Sequence, residues 1–387
     1  MHVTSPTQGR VQHNAMISDY YTQAVGSTLQ SQEHYFDATV REIIDNLVLP
    51  EGVTFTVGDY GCRDGFSTQE IFGYVIDSLK ERHGEQVPVH IIYEDLASND
   101  FNALIRTVGG NGMVSADHPK VYMAICPTSF YEQCVPDNTF HLLASFWSVH
   151  CLSSSVSYND SLFSFPDASR DEIDVVQAQA RKEWQRFLLI RAKELKPGGC
   201  MMMILPAEVS GRRYGQSRVH LQNLWIAMTK VWRLLRDLRV ITKSEYKAAN
   251  FSSYYRSEEE LRAPFSDAAS QVVQAGLRIK SLEICHQEPN SMKCGVMADR
   301  ETSAGRFVWT IRSWTERIFL QALSNRSRAS RLDVVNSFYD RLLEHILQQD
   351  LSDCGWNNII AYLVIVKLRA EEATVPEYQE VNKQHCA

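Results

Sequence analysis

Hydrophobic and polar positions along this chain switch repeatedly between a period of two and a period near 3.6, the mark of strands alternating with amphipathic helices. Residues 53–57 alternate β-branched and aromatic side chains, and after a glycine-punctuated loop Ile71, Phe72, Val75, Ile76 and Leu79 fall on one helical face. Ser67 and Glu70 stand at capping-box spacing for that helix. The same alternation predicts strands over 90–96, 121–125 and 140–146, then a long helix over 171–196 with Val176, Ala180, Trp184, Phe187, Leu188 and Leu195 on its stripe. Pro197, Gly198 and Gly199 end it. A methionine-rich run over 200–205 and apolar runs over 277–285 and 358–367 complete the expected strands. Helices are expected over 32–49, 217–240, 303–323 and 332–348.

Strand and helix in turn predict an α/β fold with a Rossmann-like sheet. Residues 243–270 are charged and aromatic and fall between two predicted strands, where an insertion would lie over the strand tips as a helical cap. The helices over 303–323 and 332–348 have no strand partners and are expected to join it. The expected organisation is a core over 1–210 with an N-terminal arm, an α-helical cap over 211–275 and 300–350, and return strands over 276–290 and 355–370. Arg233, Arg236 and Arg239 read as a solvated helix face.

Charge narrows the partners. The 387 residues carry 39 Lys+Arg against 46 Asp+Glu, a net charge of -7, with no long basic run, so neither nucleic acid nor an anionic membrane is favoured. No apolar run approaches a membrane span, and residues 1–14 are polar without a signal-peptide core. Nine scattered cysteines, never as C-x-x-C or beside a His pair at zinc spacing, predict no metal site and free thiols in a reducing cytosol.

The chemistry concentrates in the loop holding Gly58, Asp59, Gly61 and Gly65. A dinucleotide fingerprint wants G-x-G-x-x-G, which this is not, and Asp59 would repel a pyrophosphate. Beside an ammonium and a sulfonium that carboxylate is favoured, so the loop reads either as an S-adenosylmethionine cradle or as a structural glycine turn. Asp95, at the next strand tip, either holds ribose hydroxyls, since a carboxylate accepts two hydrogen bonds at once, or caps a helix. Because the carboxyl ends of such strands form the ligand crevice, Asp59, Asp95, Ser129 and Trp147 would share one rim.

Six motifs, in order, resemble one family. Tyr20 to Gln30 is similar to Y-x-x-N-S-x-x-Q, and Asp59-Tyr60-Gly61-Cys62-Arg63-Asp64-Gly65 to D-L-G-C-S-S-G. Glu94-Asp95-Leu96-Ala97-Ser98-Asn99-Asp100-Phe101-Asn102 resembles N-D-L-P-x-N-D-F-N, and Ser129-Phe130-Tyr131 resembles S-F-Y. Ser148-Val149-His150-Cys151-Leu152-Ser153 is similar to S-L-H-W-L-S, and Pro197-Gly198-Gly199 to P-G-G. The chain thus resembles the SABATH family of S-adenosylmethionine-dependent methyltransferases, which includes salicylate and jasmonate carboxyl methyltransferases and caffeine-pathway N-methyltransferases.

The resemblance implies a class I methyltransferase sheet and cofactor contacts at Tyr21, Cys62, Ser67, Asp95, Leu96, Ser129 and Phe130, beside Asp59 and Gly61 of the loop. Gln30, Trp147, His150 and Cys151 would face the acceptor, while Trp225, Tyr254, Tyr255 and Phe307, from their own positions, read either as pocket walls of the cap or as its core. Three residues depart from the family: Gly26 stands for an asparagine, Trp147 for an aromatic that is usually tyrosine, and Cys151 for a tryptophan whose indole N–H helps hold the acceptor's carboxylate. A thiol is a weaker donor. The implied activity is carboxyl O-methylation of a small, largely apolar acid, with positioning in place of a general base and His150 as the one candidate base. N- or other heteroatom methylation, or a non-catalytic cofactor-binding protein, are the alternatives. A homodimer in the cytoplasm is the family expectation.

Overall fold

The computed structural model describes residues 34–109, 119–209, 218–287, 300–349 and 358–369. Tyr21 and Gln30 lie outside the described residues. The strands are β1 (Phe55–Tyr60), β2 (Val89–Asp95), β3 (Val121–Pro127), β4 (Phe140–Phe146), β5 (Leu195–Val209), the two-residue β6 (Arg218–Val219) and β7 (Arg256–Ser257), β8 (Leu277–Gln287) and β9 (Asn358–Lys367). They form a sheet in the order β3-β2-β1-β4-β5-β9-β8, with β6 and β7 paired to β5. β1 to β5 pair in parallel, while β9 lies antiparallel between β5 and β8. β1 and β4 are buried along their whole length. A central parallel strand is covered on both faces, which fits the largely apolar run of β4.

The helices are α1 (Asp37–Asp45), α2 (Gln69–His83), α3 (Phe101–Gly109), α4 (Arg170–Glu194), α5 (Gln222–Asp237), α6 (Lys243–Ala248), α7 (Arg300–Ala322) and α8 (Arg328–Gln348), besides shorter turns. α4 opens on a capping box in which Ser169 and Glu172 each receive the other's backbone N–H. The capping box expected at Ser67 and Glu70 does not form. Thr68 is the N-cap of α2, and its hydroxyl donates to Asp59 Oδ2 at 2.6 Å instead.

One face of the sheet buries Phe36, just before α1, with Val40 of α1 and Phe72 and Val75 of α2, and the other buries Trp184, Phe187 and Leu188 from α4. A separate cluster joins α5, α7 and α8 around Trp225, Trp232, Phe319 and Phe338. Two details differ from expectation. Leu261 and Val272, expected in the cap, pack in the sheet's core beside α4, because Arg256 and Ser257 pair with Ala207 and Glu208 at the far end of β5. Leu162 and Phe163, outside the expected cap, pack inside its cluster. The α5 arginines do more than face water: Arg233 pairs with Asp167, and Arg236 reaches Asp160 at 3.3 Å, binding the cap to the segment before α4.

Cys285 is disulfide-bonded, a correction to the expectation of free thiols throughout, whereas Cys62, Cys126, Cys134, Cys151 and Cys200 are free. Among the described residues no helix is long and apolar enough to cross a membrane.

Candidate active site

The sheet brings three loops together at the carboxyl tips of its parallel strands. β1 runs to Tyr60, in register with Glu94 of β2, and the Gly61 and Cys62 amides then donate to the Glu94 carbonyl at 2.9 and 3.0 Å. Gly61 has φ +72, and a Cβ there would lie 2.3 Å from Ser148, whose hydroxyl donates to the Gly61 carbonyl at 2.9 Å. Only glycine permits that left-handed turn and close approach together. Asp95 closes the loop from the other side, with Oδ2 accepting from Arg63 N at 2.8 Å and Oδ1 from Leu96 N at 2.7 Å. Asn99 adds a bond from Nδ2 to the Arg63 carbonyl at 2.7 Å. Replacing Asn99 with alanine removes about 1 kcal/mol of support and is expected to weaken binding of S-adenosylhomocysteine by a few fold in calorimetry, with little change in melting temperature.

The second loop follows β3 and carries Ser129, Phe130 and Tyr131. Arg191 of α4, fully buried, holds it by donating to the Phe130 carbonyl at 2.9 Å and the Glu132 carbonyl at 2.8 Å. The third follows β4. Trp147 there has φ +59 and its backbone N–H donates to the Ile204 carbonyl at 2.8 Å, while Arg256 donates to the Val149 carbonyl at 3.0 Å. The cap is fastened to this turn by backbone bonds, Leu152 N to Ser252 O at 2.8 Å and Tyr254 N to His150 O at 2.9 Å.

Between loops and cap lies a cavity of about 480 Å³, a size that suits small-molecule sites. Gly61, Asp95, Leu96, Ser129 and Phe130 line its sheet side, Trp147, His150 and Cys151 its middle, and Trp225 and Tyr255 its cap side. Ten residues expected at the site are therefore brought together. Three others are not. Asp59, at 1% exposure, is interior to β1, paired with Tyr93 and Ala144, and its carboxylate turns to Thr68 rather than the cavity. Burial is the main reason its pKa rises to about 7. Cys62 packs into the apolar cluster behind the loop, where burial foremost, then the Asp95 carboxylate, pushes its thiol well up. Ser67 sits buried in the short turn before α2. In the cap, Tyr254 turns away to donate to Glu260 at 2.8 Å, and Phe307 packs in the cap's own cluster.

Sequence reasoning missed Arg63, Asn99, Lys247, Phe251, Trp314, Ile318 and Gln321, all of which line the cavity. A signal existed for some. Trp314, Ile318 and Gln321 follow i, i+4, i+7 spacing on one face of α7, a helix expected in the cap.

His150 sits among neutral and positive groups. Burial first, then His220, Arg63 and Arg256, lower its pKa to about 3, so the imidazole is neutral at physiological pH. Its Nε2 lies 3.7 Å from the Cys151 sulfur, and Nδ1 has no hydrogen-bond partner among the described residues. His220, whose Nδ1 accepts from Ile359 N at 3.2 Å, is likewise held neutral by burial. Among the described residues no group of three His, Cys, Asp or Glu side chains could hold a metal ion.

Five parallel strands followed by an antiparallel pair, with a ligand cavity at the strand tips, define a Rossmann-like class I methyltransferase fold. A solved structure of loganic acid methyltransferase with SAH has this fold, with a TM-score of 0.68 at 19% identity over 94% of this chain and 99% of that one. The family of SAM dependent carboxyl methyltransferases matches residues 20–367, and the chain belongs to that family. Gibberellic acid methyltransferase 1 of Arabidopsis thaliana is 25% identical over 57% of this chain and 64% of its own length. Loganic acid O-methyltransferase of Catharanthus roseus is 24% identical over 54% of this chain and 57% of its own length, so the match spans less than two thirds of either relative. A 7-methylxanthine methyltransferase of Camellia ptilophylla is 24% identical over 76% of this chain and 80% of its own length.

Proposed function

We propose that the chain transfers a methyl group from S-adenosylmethionine to the carboxylate of a small organic acid. One observation carries this: a single cavity joins Asp95, Ser129 and Phe130 at the strand tips to Trp147, His150, Cys151, Trp225 and Tyr255 beneath the cap. The donor set fits the cofactor. Each Asp95 oxygen already accepts one backbone N–H and retains a lone pair for a ribose hydroxyl. Ser129 and Phe130 offer a hydroxyl and a ring face beside it, suited to adenine. When bound, the cofactor supplies a methyl group activated by the positive charge of its sulfonium.

The chain's own residues then have three tasks. Phe130 and Trp147 present aromatic faces, which favour a cation. The cap rings exclude water, and His150, Trp225 and Tyr255 confine the acceptor. A carboxylic acid with pKa near ~4 is ionised at neutral pH, so no residue need remove a proton. Orientation of this kind lowers barriers by several kcal/mol, up to about 7–11 in ideal cases.

His150 therefore acts as a neutral ligand of the acceptor. With its pKa near 3, deprotonation is complete well below the working range, and the rate is expected to show no step from His150 between about pH 6 and 9. A step that vanishes in His150→Gln overturns the reading. A step near pH 7 that survives that change but vanishes in Asp59→Asn belongs to Asp59, whose carboxyl is protonated below about 7.

One observation supports a second reading. Cys151 places a thiol, not an indole N–H, in the middle of the cavity, which leaves the carboxylate less firmly held and favours methylation of a nitrogen or other heteroatom. Incubation with labelled methyl donor and a panel of small acids and ring-nitrogen heterocycles separates the two by product: methyl ester supports the first reading, N-methyl product the second. Binding of S-adenosylhomocysteine without any product would favour a non-catalytic binding protein. A cytoplasmic homodimer is part of the same proposal, and light scattering at twice the chain mass would support the dimer.

A further inference from the structure

The acceptor half of the cavity changes character along its length. A run of rings leads from the middle into the cap: His150 to Tyr255 at 5.8 Å between centroids, Tyr255 to Trp225 at 6.4 Å, and Trp225 to Trp314 at 5.9 Å. The cap contributes one charged residue to the lining, Lys247 on α6, which is exposed and so stands at the rim. Its Nζ donates to Asn159 Oδ1 at 2.7 Å. An ammonium has three N–H donors, so two remain.

Among the described residues no carboxylate pairs with Lys247, and Asp95, the one carboxylate lining the cavity, belongs to the sheet side. A cation that lines an apolar pocket without a counterion attracts an anion there. Lys247 lies on the cap and not at the strand tips, so this anion is not the group that meets the methyl donor.

We propose that the acceptor carries a second anionic group, bound at the rim by Lys247 and separated from the reacting carboxylate by an apolar middle lying along Tyr255, Trp225 and Trp314. The simplest such molecule is an α,ω-dicarboxylic acid, held so that the inner carboxylate alone faces the donor and the product is a monoester. This inference rests on the methyl-transfer reading for the identity of the reacting group, but the binding preference stands apart from it.

The test measures binding first. With S-adenosylhomocysteine saturating, affinities are measured by calorimetry for straight-chain monocarboxylic, ω-hydroxy and α,ω-dicarboxylic acids of six to twelve carbons, and methyl ester is assayed separately by mass spectrometry with the methyl donor. The dicarboxylic acid of best-fitting length is expected to bind about tenfold more tightly than its monocarboxylic counterpart, with the ω-hydroxy acid between them, since charge-assisted hydrogen bonds are the stronger ones. The advantage shrinks with added salt, because an exposed cation is screened, and it disappears in Lys247→Met. Equal affinity of mono- and dicarboxylic acids, an advantage that survives Lys247→Met, an ω-hydroxy acid that matches the diacid, or no binding of any acid at millimolar concentration each overturn the proposal. Tight diacid binding without any ester would leave it standing and count against methyl transfer instead.

Discussion

Replacing Asp95 with alanine is expected to weaken binding of S-adenosylhomocysteine about a hundredfold, a loss of ~2.7 kcal/mol. The carboxylate does two things at once. It anchors the loop after β1 through the Arg63 amide at 2.8 Å and the Leu96 amide at 2.7 Å, and it lines the cavity where the ribose would sit. Hydrogen bonds to a charged group contribute roughly 1.5–3 kcal/mol each, so removing either the anchoring or the ligand contact has a measurable effect. Burial raises the pKa of Asp95, while the two backbone N–H donors and Arg63 oppose that rise. Asp95→Asn keeps the shape but not the charge and is expected to lose about tenfold. Calorimetry on both variants settles the matter: affinity within threefold of wild type in Asp95→Ala would exclude the ribose role.

The contrast between Asp95 and Asp59 shows what a sequence reading of this chain can reach. Both carboxylates stand near the end of a predicted strand, Asp59 beside Gly58 and Asp95 beside Leu96, and both were expected on one rim. Asp95 is the last residue of β2 and turns into the cavity, whereas β1 continues one residue past Asp59, so that side chain faces the helix packed behind it. Strand ends are uncertain by a residue or two when read from pattern, and a shift of one position moves a side chain to the opposite face. Most of the sheet escaped that ambiguity. β4 and β9 fall where the apolar runs placed them because β4 is buried throughout and β9 over its first eight residues.

The cap was less legible. Its contacts depend on which faces of α5, α6 and α7 meet, and an amphipathic pattern shows that a helix has a buried face without showing what covers it. Trp314, Ile318 and Lys247, all within segments expected in the cap, were not singled out for that reason. Arg191 was hidden differently. It lies on the stripe side of a long helix whose apolar residues attracted notice, and nothing in the pattern distinguishes a buried arginine from a solvated one.

Arg191 carries the largest effect expected on stability. Its Nε meets Glu194 Oε2 at 2.7 Å with both side chains fully buried, and its guanidinium lies 4.2 Å from the Tyr60 ring centroid. Glu194 in turn accepts from the Tyr60 hydroxyl at 2.7 Å and the Cys134 amide at 2.6 Å. Arg191→Met leaves that carboxylate buried without its counterion, which costs about 3–5 kcal/mol. For a chain of this size melting as one unit, that corresponds to a fall of roughly 5 °C. The variant also releases the Phe130 and Glu132 carbonyls, so affinity for S-adenosylhomocysteine is expected to drop at least ~tenfold at temperatures where the protein is still folded. The double variant Arg191→Met/Glu194→Leu separates the two effects. Removing both charges recovers part of the stability, less what the Tyr60 hydroxyl and Cys134 amide lose with the Glu194 carboxylate, and it cannot restore the hydrogen bonds that hold the Ser129–Tyr131 loop, so affinity stays low. A double variant that regains full affinity would show that the loop holds its shape without Arg191, and that the ion pair is a feature of the core and not of the site.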